Sequence, residues 1–553
     1  MEIIGIDLGT TNSVATVYTK EGLKHISFDG DFLLPSVVNV SDEGVTVGIK
    51  AKNMAMIAPE NTAISVKRVI GTDEKLTLNG KEFTPQEVSS FIIKKIKSTA
   101  EQEMGKEYTE CVVTVPAYFN ENQREATSQA VKLAGLEVLR VINEPTAAAI
   151  SYGANRDEEI LYGVYDLGGG TFDISIIENS EGLIEVLSTT GDNQLGGDDF
   201  DKKLSELIWE KSQFNIPLTK KLQIKLNQVS EKTKIALSSQ ESVKIDEKFF
   251  AKKEGEALHL EVEITKEEFE ELIQEDIEKT IELLLSTIEE ANSDMDELEA
   301  IILTGGSSRI PLISHMIFEK TGKLPILIED PDKSVSIGAI LQGAMIKGLD
   351  TDSILVDITP YSLGTSTLAG DYSFDLQLSK IILKNTPVPT SKTSRYYAVS
   401  EYQDGFNIDI YQGEDEDDLE QNFKIGEMLL KVQEPVENGA IDVTFSLNQD
   451  GMLSVTGEEI HTGEIIKGEF KTKISKSSQH SQVKEMEILN EHDKTIINKI
   501  DKLLESDILE EDKLELKELK SNYISAKSED KASLEEEIID TIFFLEDSIS
   551  DGV

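Results

Sequence analysis

GIDLGTTN (residues 5–12) and YDLGGGTFD (residues 165–173) are two versions of one short pattern in this chain. In each stretch an apolar run typical of a β-strand ends in an aspartate, and a turn rich in Gly and Thr follows. Such turns offer backbone N–H groups and hydroxyls to phosphate oxygens, and Asp7 and Asp166 are suited to a hydrated Mg²⁺. One copy is a weak signal because Asp-Leu-Gly also occurs in ordinary hairpins. Two copies in matching contexts indicate a nucleotide site.

The bulk composition limits the classes of function. A chain of 553 residues exceeds a single hydrophobic core and suggests three or four domains. The net charge of −50 argues against nucleic acid and anionic membranes as partners. The single cysteine, Cys111, excludes an internal disulfide and is predicted to lie in the core. No signal segment or membrane-spanning run is recognisable, so we expect a soluble, cytoplasmic protein.

Residues 1–350 alternate apolar β-like runs with helical stretches, which is typical of an α/β architecture. Strands are predicted at Ile3–Ile6, Val112–Val115, Leu161–Tyr165, Ile174–Ile177 and Ala300–Leu303. Helices are predicted at Pro85–Met104, Glu121–Ala134, Phe200–Trp209, Lys220–Leu237 and Lys266–Ala291.

The pattern then changes twice. Residues 351–358 include the aliphatic run Ile354-Leu355-Val356 between acidic residues, which favours either an apolar linker or an edge strand of the next sheet. Residues 359–475 contain short alternating runs separated by turns and predict a β-domain. Residues 476–553 are charged and apolar at helical spacing. This helical end fits either a segment that packs on another domain or a self-contained bundle.

Further motifs follow one another in a characteristic order. They are GIDLGTTNS (5–13), VTVPAYFN (113–120), NEPTAAA (143–149), YDLGGGTFD (165–173), LGGDDFD (195–201), LTGGSSRIP (303–311), DITPYSLG (357–364) and YQGE (411–414). Over essentially its whole length the chain resembles the seventy-kilodalton heat-shock (DnaK-type) chaperones. Its length and short helical end resemble the shorter bacterial HscC-type branch.

The resemblance implies an actin-like α/β ATPase domain of two lobes with duplicated sheets, a β-sandwich that binds substrate, and a short α-helical lid. The implied domains are 1–350, the linker 351–358, 359–475 and 476–553. The implied ligands are ATP or ADP with Mg²⁺, and K⁺ as a further cation. The implied activity is slow ATP hydrolysis coupled to the binding of client polypeptides.

The same resemblance implies roles for individual residues of the nucleotide site. The implied catalytic residues are Asp7, Lys67, Glu144, Asp166, Thr171 and Asp173, with Asp7 and Asp166 contacting Mg²⁺ through water. The implied phosphate-binding turns contain Gly9, Thr10, Thr11, Asn12, Gly168, Gly169, Gly170, Thr171, Gly196 and Gly197. The adenosine end is implied at Glu231, Lys234, Ser238, Gly305, Gly306, Ser307, Arg309 and Asp332. Three of these, Glu231, Lys234 and Ser238, share one face of a predicted helix.

Coupling and substrate residues are implied as well. Pro116 and Arg124 match the relay that reports nucleotide state, and Arg140 matches the arginine that receives a J-domain co-chaperone. Ile354, Leu355, Val356 and Asp357 match the linker that docks with ATP; burying three aliphatic side chains contributes on the order of 4–8 kcal/mol before ordering costs. The peptide pocket maps onto Leu368, Ser400, Phe406 and Ile408, where the Phe406 ring narrows the site for a leucine-like side chain.

Three functions are compatible with these observations. The first is an ATP-driven chaperone that binds apolar peptide segments, with a J-domain protein and a nucleotide exchange factor as partners. The second is a nucleotide-switched protein that binds a single dedicated partner and has little refolding activity, which Phe406 and the short helical end favour. The third is a sugar or acetate kinase, which the β-domain after an apolar linker disfavours.

Overall fold

The structure is a computed structural model that describes residues 2–153, 160–180, 182–253, 256–328, 330–349, 354–369, 375–432, 434–469, 493–506, 508–526 and 528–550. The predicted boundary between residues 475 and 476 lies outside the described residues, as does the start of the linker at 351–353.

Residues 2–349 contain eighteen of the described strands and nine of the described α-helices. The strands are β1 (Ile3–Asp7), β2 (Asn12–Thr19), β3 (Gly22–His25), β4 (Leu34–Pro35), β5 (Val38–Val40), β6 (Val45–Val47), β7 (Thr62–Ala63), β8 (Leu76–Leu78), β9 (Lys81–Phe83), β10 (Glu110–Val115), β11 (Glu137–Asn143), β12 (Ile160–Leu167), β13 (Phe172–Ser180), β14 (Leu183–Asp192), β15 (Ser242–Lys253), β16 (Glu256–Thr265), β17 (Ala300–Thr304) and β18 (Ile326–Leu327). The helices are α1 (Ile49–Ile57), α2 (Pro85–Met104), α3 (Glu121–Leu133), α4 (Glu144–Gly153), α5 (Gly197–Ser212), α6 (Lys220–Leu237), α7 (Lys266–Glu290), α8 (Pro311–Thr321) and α9 (Pro331–Ile346).

Two sheets in this part of the chain have the same topology. The first has the order β11-β10-β1-β2-β3, and the second contains the order β18-β17-β12-β13-β14. In both, the first hairpin is antiparallel and the two strands on its other side are parallel. The predicted duplication is therefore visible in the strand order, and we call the two halves lobe I and lobe II.

Helices α4 and α9 pack between the two sheets. A Cβ atom on Gly338 of α9 would lie 1.7 Å from the carbonyl oxygen of Ala147 in α4, and one on Gly5 of β1 would lie 2.5 Å from the backbone nitrogen of Ile340. Only glycine permits these approaches, because any side chain would overlap the neighbouring backbone. The close contact of α4 with α9, and of α9 with β1, joins the two lobes.

Local sequence explains the bounds of the long helices. Thr84 caps α2 with its hydroxyl on the N–H of Glu87, whose carboxylate accepts in return from the N–H of Thr84. Thr265 and Glu268 form the same capping box at the start of α7. Each reciprocal pair satisfies two N–H groups that the helix itself leaves without partners. The predicted α2 and α6 have the observed bounds, and Cys111 is fully buried as expected.

The aliphatic run after lobe II forms strand β19 (Ile354–Ile358). Ile354, Leu355 and Val356 pair in parallel with β14 of lobe II, while Asp357 and Ile358 pair with β22 (Pro387–Val388). The segment therefore extends the sheet of lobe II and joins it to the following domain.

The next domain is a sandwich of two four-stranded antiparallel sheets. Its remaining strands are β20 (Leu363–Leu368), β21 (Leu376–Ile382), β23 (Thr390–Tyr397), β24 (Gly405–Gln412), β25 (Phe423–Lys431), β26 (Ala440–Leu447), β27 (Leu453–Glu459) and β28 (Ile465–Glu469). The sheet orders are β21-β20-β24-β25 and β23-β26-β27-β28. Alternate residues of the facing strands fill one apolar core between the sheets.

The helical end contains α10 (Asp493–Leu504), α11 (Glu510–Ser525) and α12 (Ser528–Ser550). Its buried side chains, among them Ile500, Leu516 and Ile542, belong to the same apolar cluster as the core of lobe II. The bundle therefore packs on the N-terminal domain rather than standing alone. None of the described helices combines the length and hydropathy needed to cross a membrane.

Candidate nucleotide site

The two glycine-rich turns face each other across the cleft between the lobes. A Cβ atom on Gly169 would lie 1.8 Å from the hydroxyl oxygen of Thr11, and one on Gly170 would lie 2.5 Å from Cγ2 of Thr10. Gly9 is equally restricted, since its Cβ atom would lie 1.9 Å from the carbonyl oxygen of Asn12. The absence of side chains lets the two turns meet closely and keeps their backbone N–H groups accessible to phosphate oxygens.

The start of helix α5 packs against the second glycine-rich turn. The backbone N–H groups of Gly197 and Asp198 donate to the carbonyl oxygens of Gly168 and Gly169, at 3.0 and 2.7 Å. A Cβ atom on Gly196 would lie 2.5 Å from the nitrogen of Gly170. The start of α5 thus fixes the second turn.

Sequence reasoning selected the glycines of LGGDDFD but not its aspartates. Asp198 accepts hydrogen bonds from Thr11 at 3.2 Å and from Ser65 at 2.6 Å, which ties lobe I to α5. Asp199 pairs with Arg68 through both carboxylate oxygens. The two adjacent aspartates of the motif were a usable signal, because carboxylates at the start of a helix commonly bind an arginine through both oxygens.

Four carboxylates surround one lysine at the base of the cleft. The Nζ atom of Lys67 lies 2.5 Å from a carboxylate oxygen of Glu144, and both side chains are buried. Asp7, Asp166 and Asp173 lie on the two hairpins, where Asp166 and Asp173 are paired across β12 and β13. Thr114 donates to Asp7 at 3.3 Å, and the N–H of Tyr118 donates to Asp173 at 3.0 Å.

Burial and mutual repulsion change the acidity of these groups. Burial, with the charge of Glu144, raises the pKa of Asp7 to about 7 and the pKa of Asp173 to about 7. The same causes raise the pKa of Asp166 well above its usual value. Lys67 opposes these shifts but is one positive charge among four carboxylates.

This excess of negative charge fits a divalent cation bound with nucleotide. Among the described residues, no group of three or more His, Cys, Asp or Glu is placed to hold a metal ion directly. Asp7 and Asp166 stand on opposite hairpins, where each would reach an ion through bound water, as Mg²⁺ prefers. The residues present therefore fit a hydrated Mg²⁺.

A cavity of about 450 Å³ extends from the carboxylates to the far end of the cleft. Its lining includes the predicted residues Gly9, Thr10, Thr11, Asn12, Gly168, Gly169, Thr171, Glu231, Lys234, Ser238, Gly305, Gly306, Ser307, Arg309 and Asp332. The volume is in the range of small-molecule sites. The structure thus brings these predicted residues into one cavity, whereas the predicted Gly170, Gly196 and Gly197 do not line it.

The predicted adenosine end of the cavity is lined by residues of α6 and of the turn after β17. Lys234 donates to the carbonyl oxygen of Gly197 at 2.9 Å and pairs with Asp201 at 2.8 Å. Arg309 pairs with Asp332 at 2.7 Å and stays half exposed, so its guanidinium plane can stack on a base. Sequence reasoning missed Lys52, whose Nζ atom lies 2.5 Å from Glu231 and joins α1 to α6 at the mouth of the cleft.

The predicted coupling residues converge where the lobes meet the β-domain. Arg124 donates to the carbonyl oxygens of Ala117 and Phe119 and to the side chain of Asn143. Pro116 begins the segment that these carbonyls belong to, directly after β10. Asn143 in turn donates to both carboxylate oxygens of Asp357, at 3.1 and 3.0 Å.

Further contacts join the N-terminal domain to the β-domain. Arg140 lies 3.2 Å from Asp450 and donates to Gln449 at 2.8 Å. The N–H of Leu453 donates to the carboxylate of Glu121 at 2.9 Å, and burial raises the pKa of Glu121 to about 7. The hydroxyl of Tyr361 donates to the carbonyl oxygen of Tyr118 at 3.0 Å. Tyr118 and Tyr361 lie in motifs quoted above and Glu121 begins a predicted helix, but the sequence alone did not indicate these contacts.

The predicted peptide-pocket residues lie in different environments. Phe406 and Ile408 are buried on one face of β24, inside the core of the sandwich. A Cβ atom on Gly457 of the opposite sheet would lie 2.9 Å from Cδ1 of Ile408. Leu368 is half-buried at the end of β20, and Ser400 is exposed after β23. The structure therefore groups Phe406 with Ile408 and leaves the other two at the rim.

Comparison with known proteins agrees with this architecture. Residues 3–548 match the family model described as Hsp70 protein. The chain is 38% identical over 520 residues to proteins named chaperone protein DnaK from Thermotoga petrophila and Thermotoga maritima. Each alignment covers 90% of this chain and 85% of the relative.

Proposed function

The chain belongs to the Hsp70 family, and from this premise we propose that ATP binding and hydrolysis between its lobes control the hold of its β-domain on client peptides. The chain is an ATPase and an ATP-dependent chaperone, as are the proteins of this family. We assign residues 1–350 to the ATPase domain, 351–358 to the linker, 359–475 to the substrate-binding domain and 476–553 to the helical segment.

We propose that ATP occupies the cavity with its phosphates on the two turns and its adenosine against α6 and Arg309. A bound Mg²⁺ would neutralise charge on the phosphate oxygens. Thr10, Thr11 and Asn12 from lobe I and Gly168 to Thr171 from lobe II would hold the phosphates from both sides. Such a site accelerates hydrolysis by positioning and charge stabilisation.

Lys67 and Glu144 are proposed to place the attacking water. Lys67 is held by Glu144 at 2.5 Å and is buried, so its ammonium group is fixed before the nucleotide arrives. Its charge would stabilise the γ-phosphate as the bond to the leaving oxygen breaks. Asp173, with its raised pKa, is suited to accept a proton from water near neutral pH.

The proposed coupling between the nucleotide site and the linker is supported by two neighbouring residues whose side chains contact different parts of the protein. Glu144 reaches Lys67 in the nucleotide site, while Asn143 holds Asp357 of the linker. A shift of β11 on nucleotide binding would therefore move both contacts together. We propose that ATP favours the docked linker and that hydrolysis releases it.

Substrate binding is proposed to lie in the β-domain, at the end of the sandwich that contains Leu368, Ser400, Phe406 and Ile408. The Phe406 ring is buried, and a Cβ atom on Gly439 would lie 3.9 Å from its Cζ atom. Because this ring fills space in the core, we propose that the site accepts narrow side chains and that the client range is restricted. Phe406→Val should then widen the set of peptides bound.

We propose that a J-domain co-chaperone binds near Arg140 and that an exchange factor assists ADP release. The contacts of Arg140 with Asp450 and Gln449 place it at the border of the two domains. A partner that competes for this arginine would loosen the docked β-domain.

The deciding experiment is binding of a labelled peptide library to the full chain in ADP, followed by a chase with ATP. Capture of short apolar peptides that ATP releases supports the coupled cycle. Phosphate release should be measured on the same sample. ATP hydrolysis without peptide capture in either nucleotide would contradict the proposal and favour a switch for one dedicated partner. Transfer of phosphate to a small molecule would indicate a kinase.

A further inference from the structure

The last helix of the chain touches the ATPase domain on the lobe I side of the nucleotide cleft. Asn53 of α1 donates to the carboxylate of Glu535 in α12 at 3.0 Å. Lys499 of α10 donates to the carbonyl oxygen of Ile57 at the end of α1 at 2.9 Å. Helix α1 belongs to lobe I, because it directly follows the strands β5 and β6, which form a three-stranded sheet with β7 and share a buried cluster with β1.

The same helix also contacts lobe II. Lys225 of α6 pairs with Asp540 at 3.1 Å and lies 4.9 Å from the centre of the Phe543 ring. Lys232 of α6 pairs with Glu536 at 2.8 Å. Since Lys225 is buried, its charge meets Asp540 and the ring in a setting where both contacts are stronger than at an exposed surface.

Apolar packing accompanies these polar contacts. Ile538, Ile539, Ile542 and Phe543 of α12 are at most 3% exposed. They belong to one buried cluster with Met54 and Ile57 of α1 and with Leu222 and Leu226 of α6. Burial of these four side chains removes their apolar surface from water, so the helix is held mainly by this face.

Helix α6 is also a wall of the nucleotide cavity. Glu231, Lys234 and Ser238 line the cavity, while Lys225 and Lys232 of the same helix hold α12. The pair Lys52–Glu231 joins α1 to α6 beside these contacts. An outward movement of α6 that widens the cavity would therefore strain or break its contacts with α12.

We propose that α12 is an intramolecular latch that bridges the two lobes at the mouth of the nucleotide cleft and slows nucleotide release. The helix must leave at least one lobe before the lobes can separate. Its detachment, rather than the loss of contacts to the nucleotide alone, then limits the rate at which ADP dissociates. This inference rests on the nucleotide site proposed above.

The test measures release of a fluorescent (methylanthraniloyl) ADP from the full chain, chased with unlabelled ATP. Phe543→Ala removes the ring that Lys225 contacts, and release should become at least fivefold faster. Leu514→Ala in α11 is the matched control, because this leucine is 67% exposed and its removal should change release by less than twofold.

A second arm tightens the latch. Two pairs, Asn53→Cys with Glu535→Cys and Lys232→Cys with Glu536→Cys, each joined by a short bismaleimide, tie α12 to both lobes and should slow release at least fivefold. Cys111 is fully buried and should not react. Lys520→Cys with Asp501→Cys, joined in the same way, ties α11 to α10 without tying either to a lobe, and should leave release unchanged.

The outcomes are distinct. Faster release with Phe543→Ala and slower release with the tied latch support the proposal. Unchanged release in the tied protein overturns the latch while leaving the nucleotide site intact, even where Phe543→Ala fails to fold. Absence of any nucleotide binding by the unmodified chain would overturn the nucleotide site and the latch together.

Discussion

The side chain of Asn143 donates hydrogen bonds to both carboxylate oxygens of Asp357, while its neighbour Glu144 lies 2.5 Å from Lys67. One peptide unit thus separates the partner of Lys67 from the side chain that holds Asp357. Because the two contacts share a backbone, a displacement of Glu144 would also move the contact with Asp357.

Lys67→Ala should abolish hydrolysis while leaving nucleotide binding nearly intact. If Lys67 lies beside the γ-phosphate as proposed, the substitution removes that positive charge, and a loss of about 10²–10³-fold in the single-turnover rate is expected. The dissociation constant for ATP should change by only a few-fold, because the turns still hold the phosphates. Lys20→Ala, at an exposed lysine, is the control. Hydrolysis at more than a tenth of the normal rate would contradict the assigned role.

Gly305→Ala should destabilise the protein far more than Gly322→Ala. Both glycines have positive φ, at 80° and 70°. A Cβ atom on Gly305 would lie 2.5 Å from a carboxylate oxygen of Asp166, whereas one on Gly322 meets nothing within 4 Å. Strain alone costs about 1 kcal/mol, and the added clash should raise the cost at Gly305 to about 3 kcal/mol or more. Urea unfolding of both variants gives the difference; equal losses would show that the turn relaxes freely.

The nucleotide-free protein should lose stability as the pH rises from about 4 to about 7. The pKa values of Asp7 and Asp173 are raised to about 7 in the folded chain, so between pH 4 and 7 the folded state binds more protons than the unfolded state. Each such group lowers the free energy of unfolding by up to about 1.4 kcal/mol per pH unit in that window.

Thermal unfolding in the presence of a chelator, at pH 6 and pH 8, measures this effect. The midpoint should be lower at pH 8, and nucleotide with Mg²⁺ should raise it more at pH 8 than at pH 6. Asp7→Asn with Asp173→Asn should flatten the dependence. A midpoint that rises from pH 6 to pH 8 in the unmodified, nucleotide-free chain would refute the charge argument.

Asp450→Ala should weaken the response of the β-domain to ATP. Asp450 pairs with Arg140 across the domain border, so its loss should slow ATP-induced peptide release by about tenfold, equivalent to about 1.4 kcal/mol. Asp442→Ala is a matched control, since Asp442 also pairs with an arginine, Arg395, but within one exposed sheet. Stopped-flow peptide release compares the two. Equal effects of both substitutions would show that the border pair has no special part in coupling.

The positions of individual helices and strands could be predicted from the sequence. Helices α2 and α6 have the expected bounds because Thr84 and Thr219 cap them and apolar residues recur at helical spacing. The nucleotide site could be predicted because the same strand–turn pattern occurs twice, and the structure shows that glycine is needed where the two turns meet. Lys52, Glu121 and Tyr361 could not be predicted, because each acts through a partner more than 150 residues away or in another domain.

The helical end shows the same limit. Its amphipathic pattern predicts helices but not the surface that they cover, because an apolar face is complementary to many others. In the structure, α12 packs on α1 and α6 and forms polar contacts with Asn53, Lys225 and Lys232. These three residues have no distinctive neighbours in the sequence.

Strand β19 is shared by two domains, and this arrangement has a mechanical consequence. Ile354 to Val356 pair with β14, and Asp357 and Ile358 pair with β22, so one extended backbone belongs to the sheet of lobe II and to the edge of the β-domain. A force that pulls the β-domain along the direction of β19 acts on all the hydrogen bonds between β19 and β14 at the same time, and does not break them one after another. Tension on the β-domain would therefore be transmitted directly to the sheet that carries Asp166 and Asp173.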